Sequence, residues 1–405
     1  MNILLVPSGY LPLVGGVQLN THALAKSLVA RGHRVTVLTS NWRQWSLPIH
    51  ETLDGIEVFR VPFYVFRGGL KSWLAFCCVF PVTVFATWLH IRRTRADIVN
   101  VHFAGANAFY AWLALFGSDV PLVVTFHGGE VINVGDPALV GYTPTERSLM
   151  ERVIRATLAR ANAVTAVCQY LLDRAALISP EVVRGSQPIF MGSSQELAMR
   201  ASDDLALRKL IPNRFVLAVG RLVREKGFDL LVEAFRRIAT EDTELELVIV
   251  GDGRERTRLE AQVASAGLLP RVTFTGMLKP EDINVFYRQC LMLAVPSRWQ
   301  EAFPGVILEA FLHNKPVVAA AMGGVPEMVT HEVTGLLVAP EDPQQLAAAI
   351  RRLMASPELR LVYGRNGGVF ARKTVDWDSI SQKYESIYQR VSLDQHERMS
   401  MLPKG

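Results

Sequence analysis

The strongest constraint on this chain is a rhythm. Short apolar runs alternate with longer stretches of helical periodicity along most of the sequence. Strands and helices that alternate in this way build parallel sheets, because a parallel strand returns only through a crossover. In the first half the runs fall at 3–6, 34–38, 98–102, 122–126 and 163–167. A helix is predicted to start near Gly16, with Val17, Ala23, Leu24 and Leu28 on one face. In the second half the runs fall at 215–219, 245–250, 272–274, 291–295 and 316–319, with a helix over 229–239. Between the two series, residues 180–194 are rich in Pro, Gly and Ser and read as a connection. Residues 377–391 read as a terminal helix and 392–405 as a frayed end.

A chain of 405 residues exceeds one ordinary core. The expectation is therefore α/β: two Rossmann-like, doubly wound domains facing across a cleft. They are placed at residues 1–188 and 189–376, with helix 377–391 packing back onto the first. Half of the residues are apolar and a fifth are charged, which excludes a disordered chain. The four cysteines show no metal-ligand spacing, and Cys77 and Cys78 are adjacent, which suits no disulfide framework. Together they point to a reduced, cytoplasmic compartment. The start of the chain lacks a basic region and a cleavage site, so it reads as a first strand rather than a signal peptide.

The net charge is +5, and the first 185 residues carry it, with 16 Lys and Arg against 11 Asp and Glu. An excess placed there favours an anionic acceptor or a bilayer surface. No stretch has the basic density or aromatic interleaving of a nucleic-acid site. Residues 72–89 hold no charge and precede Arg92, Arg93 and Arg95. With Pro81, Thr83 and Thr87 inside it, that run reads as a buried or surface-docked helix, with a shallow membrane contact at the inner face open.

Ligands of doubly wound sheets gather beyond the carboxyl ends of the strands. The polar phrases of this sequence fall at those ends. Gly15-Gly16 follows the first strand and opens a helix, where a ligand anion can approach backbone amides. It is not the Gly-x-Gly-x-x-Gly of a dinucleotide site. Arg221 and Lys226 stand five apart in the loop after 215–219. A planar fork and a point charge suit a diphosphate, and fixed cations stabilise one that is leaving. The plain alternative is a solvated loop salt-bridged through Glu225. Glu301 lies before a helix that begins near Gly305, and Glu309 lies within it between apolar neighbours. A carboxylate there must be paired, and it can accept from vicinal ribose hydroxyls. Glu301 can accept from sugar hydroxyls, and the free amides of Gly305 and Val306 can face phosphate. His127 ends the strand 122–126 and precedes Gly128-Gly129, where it can bond a hydroxyl or move a proton. His102 is a weaker candidate of the same kind. Gly323-Gly324-Val325-Pro326-Glu327 reads as a tight turn.

At these residues the sequence resembles the retaining glycosyltransferases of family 4, which have the GT-B fold. The phrases that carry the resemblance are Gly-Arg-Leu-x-x-x-Lys-Gly from Gly220, the spacing of Glu301 and Glu309, and Gly-Gly-x-Pro-Glu from Gly323. Gly15-Gly16, Arg31-Gly32-His33 and His127 extend it through the first half. The resemblance implies transfer of a hexose from a UDP- or GDP-sugar to a hydroxyl acceptor, with retention of configuration. The leaving phosphate would help deprotonate the acceptor on the same face. Arg221 and Lys226 would hold the diphosphate, Glu309 the ribose and Glu301 the transferred sugar. Gly16 would approach the phosphates, and His127 would contact the sugar or align the acceptor. The nucleotide sugar is a co-substrate, and no cofactor or metal is implied. Asp376-Trp377-Asp378 has the Asp-x-Asp pattern of metal-dependent transferases, but it opens the last helix, far from a strand end, and reads as chance or capping. Two departures stand out: Met191-Gly192-Ser193-Ser194 where Asn-Gly-Val-Asp is common, and Pro304 in place of a glycine. The acceptor stays open among a glycan, a lipid-linked sugar and a small molecule, within glycan, glycolipid or polysaccharide biosynthesis. A nucleotide-sugar epimerase on the same fold and a non-catalytic nucleotide-sugar binder are the alternatives.

Overall fold

The computed structural model describes residues 1–13, 15–41, 46–64, 70–132, 144–191 and 214–401. The chain forms two compact units, Met1–Met191 with Asp376–Gly405, and Gly192–Val375.

The first unit is built on seven strands: β1 (Asn2–Pro7), β2 (Arg34–Ser40), β3 (His50–Leu53), β4 (Ile56–Val61), β5 (Ile98–His102), β6 (Leu122–Phe126) and β7 (Ala163–Ala166). Their order in the sheet is β3-β4-β2-β1-β5-β6-β7. All pairs are parallel except β3 with β4. Strands β5 and β6 and the edge strand β7 are buried at every position, as a sheet covered on both faces requires. Helices α1 (Gly16–Ala30), α2 (Leu70–Arg93) and α3 (Ala106–Ala114) are among those that cover it.

The second unit holds β8 (Phe215–Val219), β9 (Glu246–Val250), β10 (Val272–Gly276), β11 (Met292–Val295), β12 (Val317–Ala320) and β13 (Gly335–Val338). Their order is β10-β9-β8-β11-β12-β13, all parallel. Apolar residues pack on both faces. Phe228, Leu231, Val232, Phe235 and Ile238 of the helix Phe228–Ile238 cover one face, and Ile307, Leu308 and Phe311 of the helix Gly305–Leu312 cover the other.

Both sheets turn back once in strand order: between β1 and β5 in the first, and between β8 and β11 in the second. Loops diverge at these switch points and leave a crevice beyond the carboxyl ends.

Four features differ from the sequence reading. The β3–β4 hairpin was not expected, although Asp54-Gly55 is a hairpin turn, with φ of 50° and 79° at its two residues. Strand β13 was also not expected; it is four residues long. The stretch 180–191 is no free connection: Pro180–Val183 is helical, Pro188 bridges to Ala166, and Ile189 and Met191 are buried in the first unit. Ser193 and Ser194 lie outside the described residues. Lastly, the terminal helix runs Trp377–Met401 rather than ending at 391. Tyr384, Tyr388 and Val391 bury one face of it, and no Pro or Gly interrupts the residues that follow until Pro403. A helix nucleated by packing extends through such residues at little cost.

That helix lies against α1. Arg31 donates to Glu385 and Asp378, and Ser27 donates to the Trp377 carbonyl and to Ser381. Asp378 of the Asp-x-Asp phrase is thus engaged by Arg31.

Candidate active site

The switch point of the second sheet collects the charged residues singled out from sequence. Gly220 follows β8 directly, and the loop runs through Arg221 and a short turn at Arg224–Lys226. The loop after β11 runs from Pro296 to Glu301 and enters the helix Gly305–Leu312. The two loops meet at one carboxylate. Oε1 of Glu301 accepts from the Lys226 ammonium at 2.5 Å and from the Ser297 hydroxyl at 2.8 Å. Neither Lys226 nor Glu301 is fully buried, so the pair faces a partly open crevice.

Two glycines make this approach possible. Gly227 has φ of 67°, and a Cβ there would stand 2.1 Å from the Pro296 carbonyl oxygen. Gly323 has φ of 58°, and a Cβ there would stand 2.3 Å from the Glu301 carbonyl oxygen. That same oxygen accepts from the Gly324 amide at 2.7 Å. The turn at 323–324 is therefore the support on which Glu301 rests. Glycine is required there by both φ and space.

Glu225 does not make the expected loop salt bridge with its neighbours. Arg254 donates to it instead, at 2.9 Å. Arg221 is exposed, and its charge helps to lower the Glu225 pKa. The structure thus joins Lys226 to Glu301 and leaves the Arg221 side chain at the solvent.

Glu309 sits on the second turn of the helix Gly305–Leu312. Helical side chains lean toward the N-terminus. Accordingly, a Cβ on Gly305 would lie 3.9 Å from Glu309 Oε1. The carboxylate thus lies beside Gly305 at the first turn, with Pro304 as the residue before the helix. Its side chain keeps a partly open face while protein surrounds the carboxylate. Loss of water raises its pKa, and a hydrogen bond from Tyr287 opposes that rise. The Tyr287 hydroxyl donates to Oε2 at 2.8 Å. Tyr287 is itself buried and stacks on His313, with ring centroids 5.8 Å apart. Tyr287 and Ser297 were not found from sequence. A tyrosine on the apolar face of an amphipathic helix, and a serine after a strand, carry no distinguishing signal.

The first sheet presents histidines at the corresponding edge. His102 ends β5 and His127 follows β6. Their rings meet, His102 Nδ1 to His127 Nε2 at 3.0 Å. Burial lowers both pKa values, that of His127 to about 3. Both rings are therefore neutral at physiological pH, and one nitrogen of the pair carries the shared proton. His102, the weaker candidate from sequence, proves to be the partner of the stronger one. Glu130 accepts from the His127 amide, and burial pushes its pKa up to about 7. Asn107, also missed, donates to the carbonyls of Val6 and His102 and ties β1 to β5 at the switch point.

Gly15 caps α1 in an extended conformation, and Gly16 is its first residue. A Cβ on Gly16 would meet nothing within 4 Å, and its φ is not in the left-handed region. The protein itself does not require a glycine there.

Residues 207–369 match the family described as Glycosyl transferases group 1, and residues 15–183 match Glycosyl transferase 4-like domain. Alpha-D-kanosaminyltransferase of Streptomyces kanamyceticus is 30% identical over 402 residues, spanning 93% of this chain and 100% of that one. The chain belongs to the glycosyl transferases group 1 family. It is a glycosyltransferase that takes its sugar from a nucleotide sugar. Two solved structures share the fold of the transferase. Sucrose-phosphate synthase from Thermosynechococcus elongatus has a TM-score of 0.77 at 24% identity, covering 96% of this chain and 98% of that one. Anabaena HepE in complex with UDP-glucose has a TM-score of 0.70 at 22% identity, covering 99% and 100%. The fold of the transferase is GT-B, with two parallel Rossmann-like sheets.

Proposed function

We propose that the transferase moves a hexose from UDP or GDP to a hydroxyl acceptor, with retention of configuration and without a metal ion. The observation that carries this reading is the meeting of Lys226, Ser297 and Glu301 at the second switch point, with Glu309 on the adjoining helix. Cations, free amides and carboxylates stand there in the mixture that a sugar diphosphate demands.

In this reading the second unit holds the donor. Arg221 and Lys226 bind the diphosphate, and the Gly305 and Val306 amides add donors at a helix start. As the glycosidic bond breaks, charge grows on the leaving diphosphate, and these groups stabilise it. Glu309 accepts from the ribose hydroxyls, which requires its ionised form; the Tyr287 bond favours that form. Glu301 accepts from hydroxyls of the transferred sugar. The first unit binds the acceptor. His127, being neutral, acts there as a hydrogen-bonding group to a sugar or acceptor hydroxyl. The leaving phosphate takes the acceptor proton on the same face. Gly16 supports the reading because nothing in the protein forbids a side chain there, whereas a close phosphate would. The UDP-glucose in the HepE complex makes UDP the nucleotide to try first. Cys77, Cys78, Cys168 and Cys290 form no disulfide, which supports a reducing, cytoplasmic setting.

The test is release of nucleotide diphosphate from a panel of UDP- and GDP-hexoses, in EDTA, with glycan, lipid-linked and small acceptors. Turnover should persist in EDTA, and Glu309→Ala should lower kcat/KM by about a hundredfold or more. Full activity in Glu309→Ala would remove the assigned donor site.

A further inference from the structure

Helix α2 is inverted with respect to a soluble helix. Its outward face carries Trp73, Leu74, Cys77, Cys78, Pro81, Val82, Phe85 and Trp88. Val82 is 62% exposed and Phe85 59%. Its inward face carries the polar residues. Thr83 and Thr87 are fully buried and return their hydroxyls to backbone carbonyls of Val79, Pro62 and Thr83. Phe76 and Phe80 share the inward side, with Phe80 centroids 6.0 Å from Phe109 and 5.8 Å from Tyr110. The exposed positions repeat at helical spacing, so they form one continuous stripe.

Among the described residues this is one helix long and apolar enough to cross a membrane. The topology prevents crossing. The chain enters α2 from β4 and leaves it into β5, and both strands belong to the same sheet. A spanning α2 would put the two strands on opposite sides of a bilayer.

The charges around the stripe have one sign. Between Glu57 and Asp97 the sequence has no acidic residue. Arg92 and Arg93 are exposed at the end of the helix, and Arg95 follows. The Arg92 guanidinium lies over the Trp88 ring, 5.5 Å from its centroid, and Phe85 stacks beside Trp88. An aromatic ring beneath a cation at the edge of an apolar stripe suits the boundary between acyl chains and anionic headgroups.

We infer that this face of α2 seats on an anionic lipid bilayer, with the helix axis in the plane of the surface. Trp73, Leu74, Val82, Phe85 and Trp88 enter the acyl boundary, and Arg92, Arg93 and Arg95 engage the headgroups. A crossover helix runs opposite to its strands, so the start of α2 lies toward the sheet edge that carries His102 and His127. This inference rests on the helix alone and stands apart from the donor assignment.

The experiment is co-sedimentation of the whole protein with sucrose-loaded vesicles at low salt. One set is phosphatidylcholine alone and the other is phosphatidylcholine and phosphatidylglycerol in equal parts. Wild type should pellet with the mixed vesicles and release as salt is raised. The triple variant Leu74→Ser, Val82→Ser, Phe85→Ser should partition about tenfold less or weaker still. The double variant Arg92→Gln, Arg93→Gln should lose about fivefold or more and show a flatter salt response. Circular dichroism confirms that each variant is folded; the substituted positions are exposed. Wild type staying in the supernatant would overturn the inference, as would equal pelleting of the folded triple variant. A lipid-free dimer that the triple variant converts to monomer would also overturn it, because a second copy would then cover the stripe.

Discussion

The Tyr287 hydroxyl donates to Glu309 Oε2 at 2.8 Å, joining the helix Pro280–Gln289 to the helix Gly305–Leu312. Burial raises the Glu309 pKa, and this one bond opposes the rise by stabilising the ionised form. Tyr287→Phe removes the bond and keeps the ring. The pKa of Glu309 then climbs further. If ionised Glu309 binds the ribose, the acid limb of the kcat/KM profile moves to higher pH. A pH–rate series on the two proteins reads this directly, and an unmoved limb would show that Glu309 does not set it.

Lys226 is held by Glu301 in the free protein, so a diphosphate must compete for it. Glu301→Gln weakens that hold while leaving a group of the same shape. Binding of UDP alone should be unchanged or tighter by calorimetry. Turnover should fall about a hundredfold, because a neutral amide is a poorer acceptor for sugar hydroxyls. Lys226→Ala should weaken UDP binding about tenfold or more. Equal losses of nucleotide affinity in both variants would contradict the separation of roles.

Two glycines should respond in opposite ways. Gly323→Ala places a Cβ against the Glu301 carbonyl at a left-handed φ, with backbone on the other side that has nowhere to move. It should cost about 2 kcal/mol or more in a denaturant melt and lower activity with it. Gly16→Ala meets open space at the start of a helix. Its stability should stay within about 0.5 kcal/mol of wild type, while donor turnover falls. An active Gly16→Ala protein would remove the phosphate approach at that residue.

Glu130 gives a stability test. Its folded pKa, about 7, lies above the ordinary carboxylate value. Between those two values the folded state holds a proton that the unfolded state has released. Stability from this group is therefore fully present below the ordinary carboxylate value and is lost as pH rises from there through about 7. Glu130→Gln is neutral throughout and keeps an acceptor for the His127 amide. Relative to wild type it should gain stability as pH rises from about 5 to 8, on the order of 2 kcal/mol at the upper end. His102 and His127 titrate in the opposite sense, so the difference between the two proteins, not either melt alone, isolates Glu130. A difference that does not change with pH would show that Glu130 is ionised across that range.

Much of the fold was legible because its strands are buried on both faces. Such strands show as mainly apolar runs: β8 is unbroken, and β1, β2, β5, β6 and β9 are apolar apart from a few polar residues. Strand β3, at the sheet edge, alternates exposed and half-buried residues around charges, and it escaped for that reason. The candidate residues stood out where an unusual residue type follows a strand: two cations in one loop, a carboxylate in an apolar helix, a histidine beside glycines. Their partners were not. Tyr287 lies 22 residues from Glu309, and Lys226 lies 75 from Glu301. No local spacing encodes such pairs.

The sequence by itself determined the strand-helix alternation and the residue types at the strand ends. Both are local properties: backbone periodicity, and chemistry at fixed positions along the chain. It also supplied the apolar run at 72–89. It could not say which side of that helix faces the sheet, because apolar residues occupy both sides. Only the tertiary structure decided this, by satisfying Thr83 and Thr87 within the fold and leaving Val82, Phe85 and Trp88 outside. The same holds for the sites. Strand order places the loops after β8 and β11 side by side, and that adjacency lets Lys226 and Ser297 converge on Glu301. Strand order is a matter of long-range packing, which one chain segment does not carry.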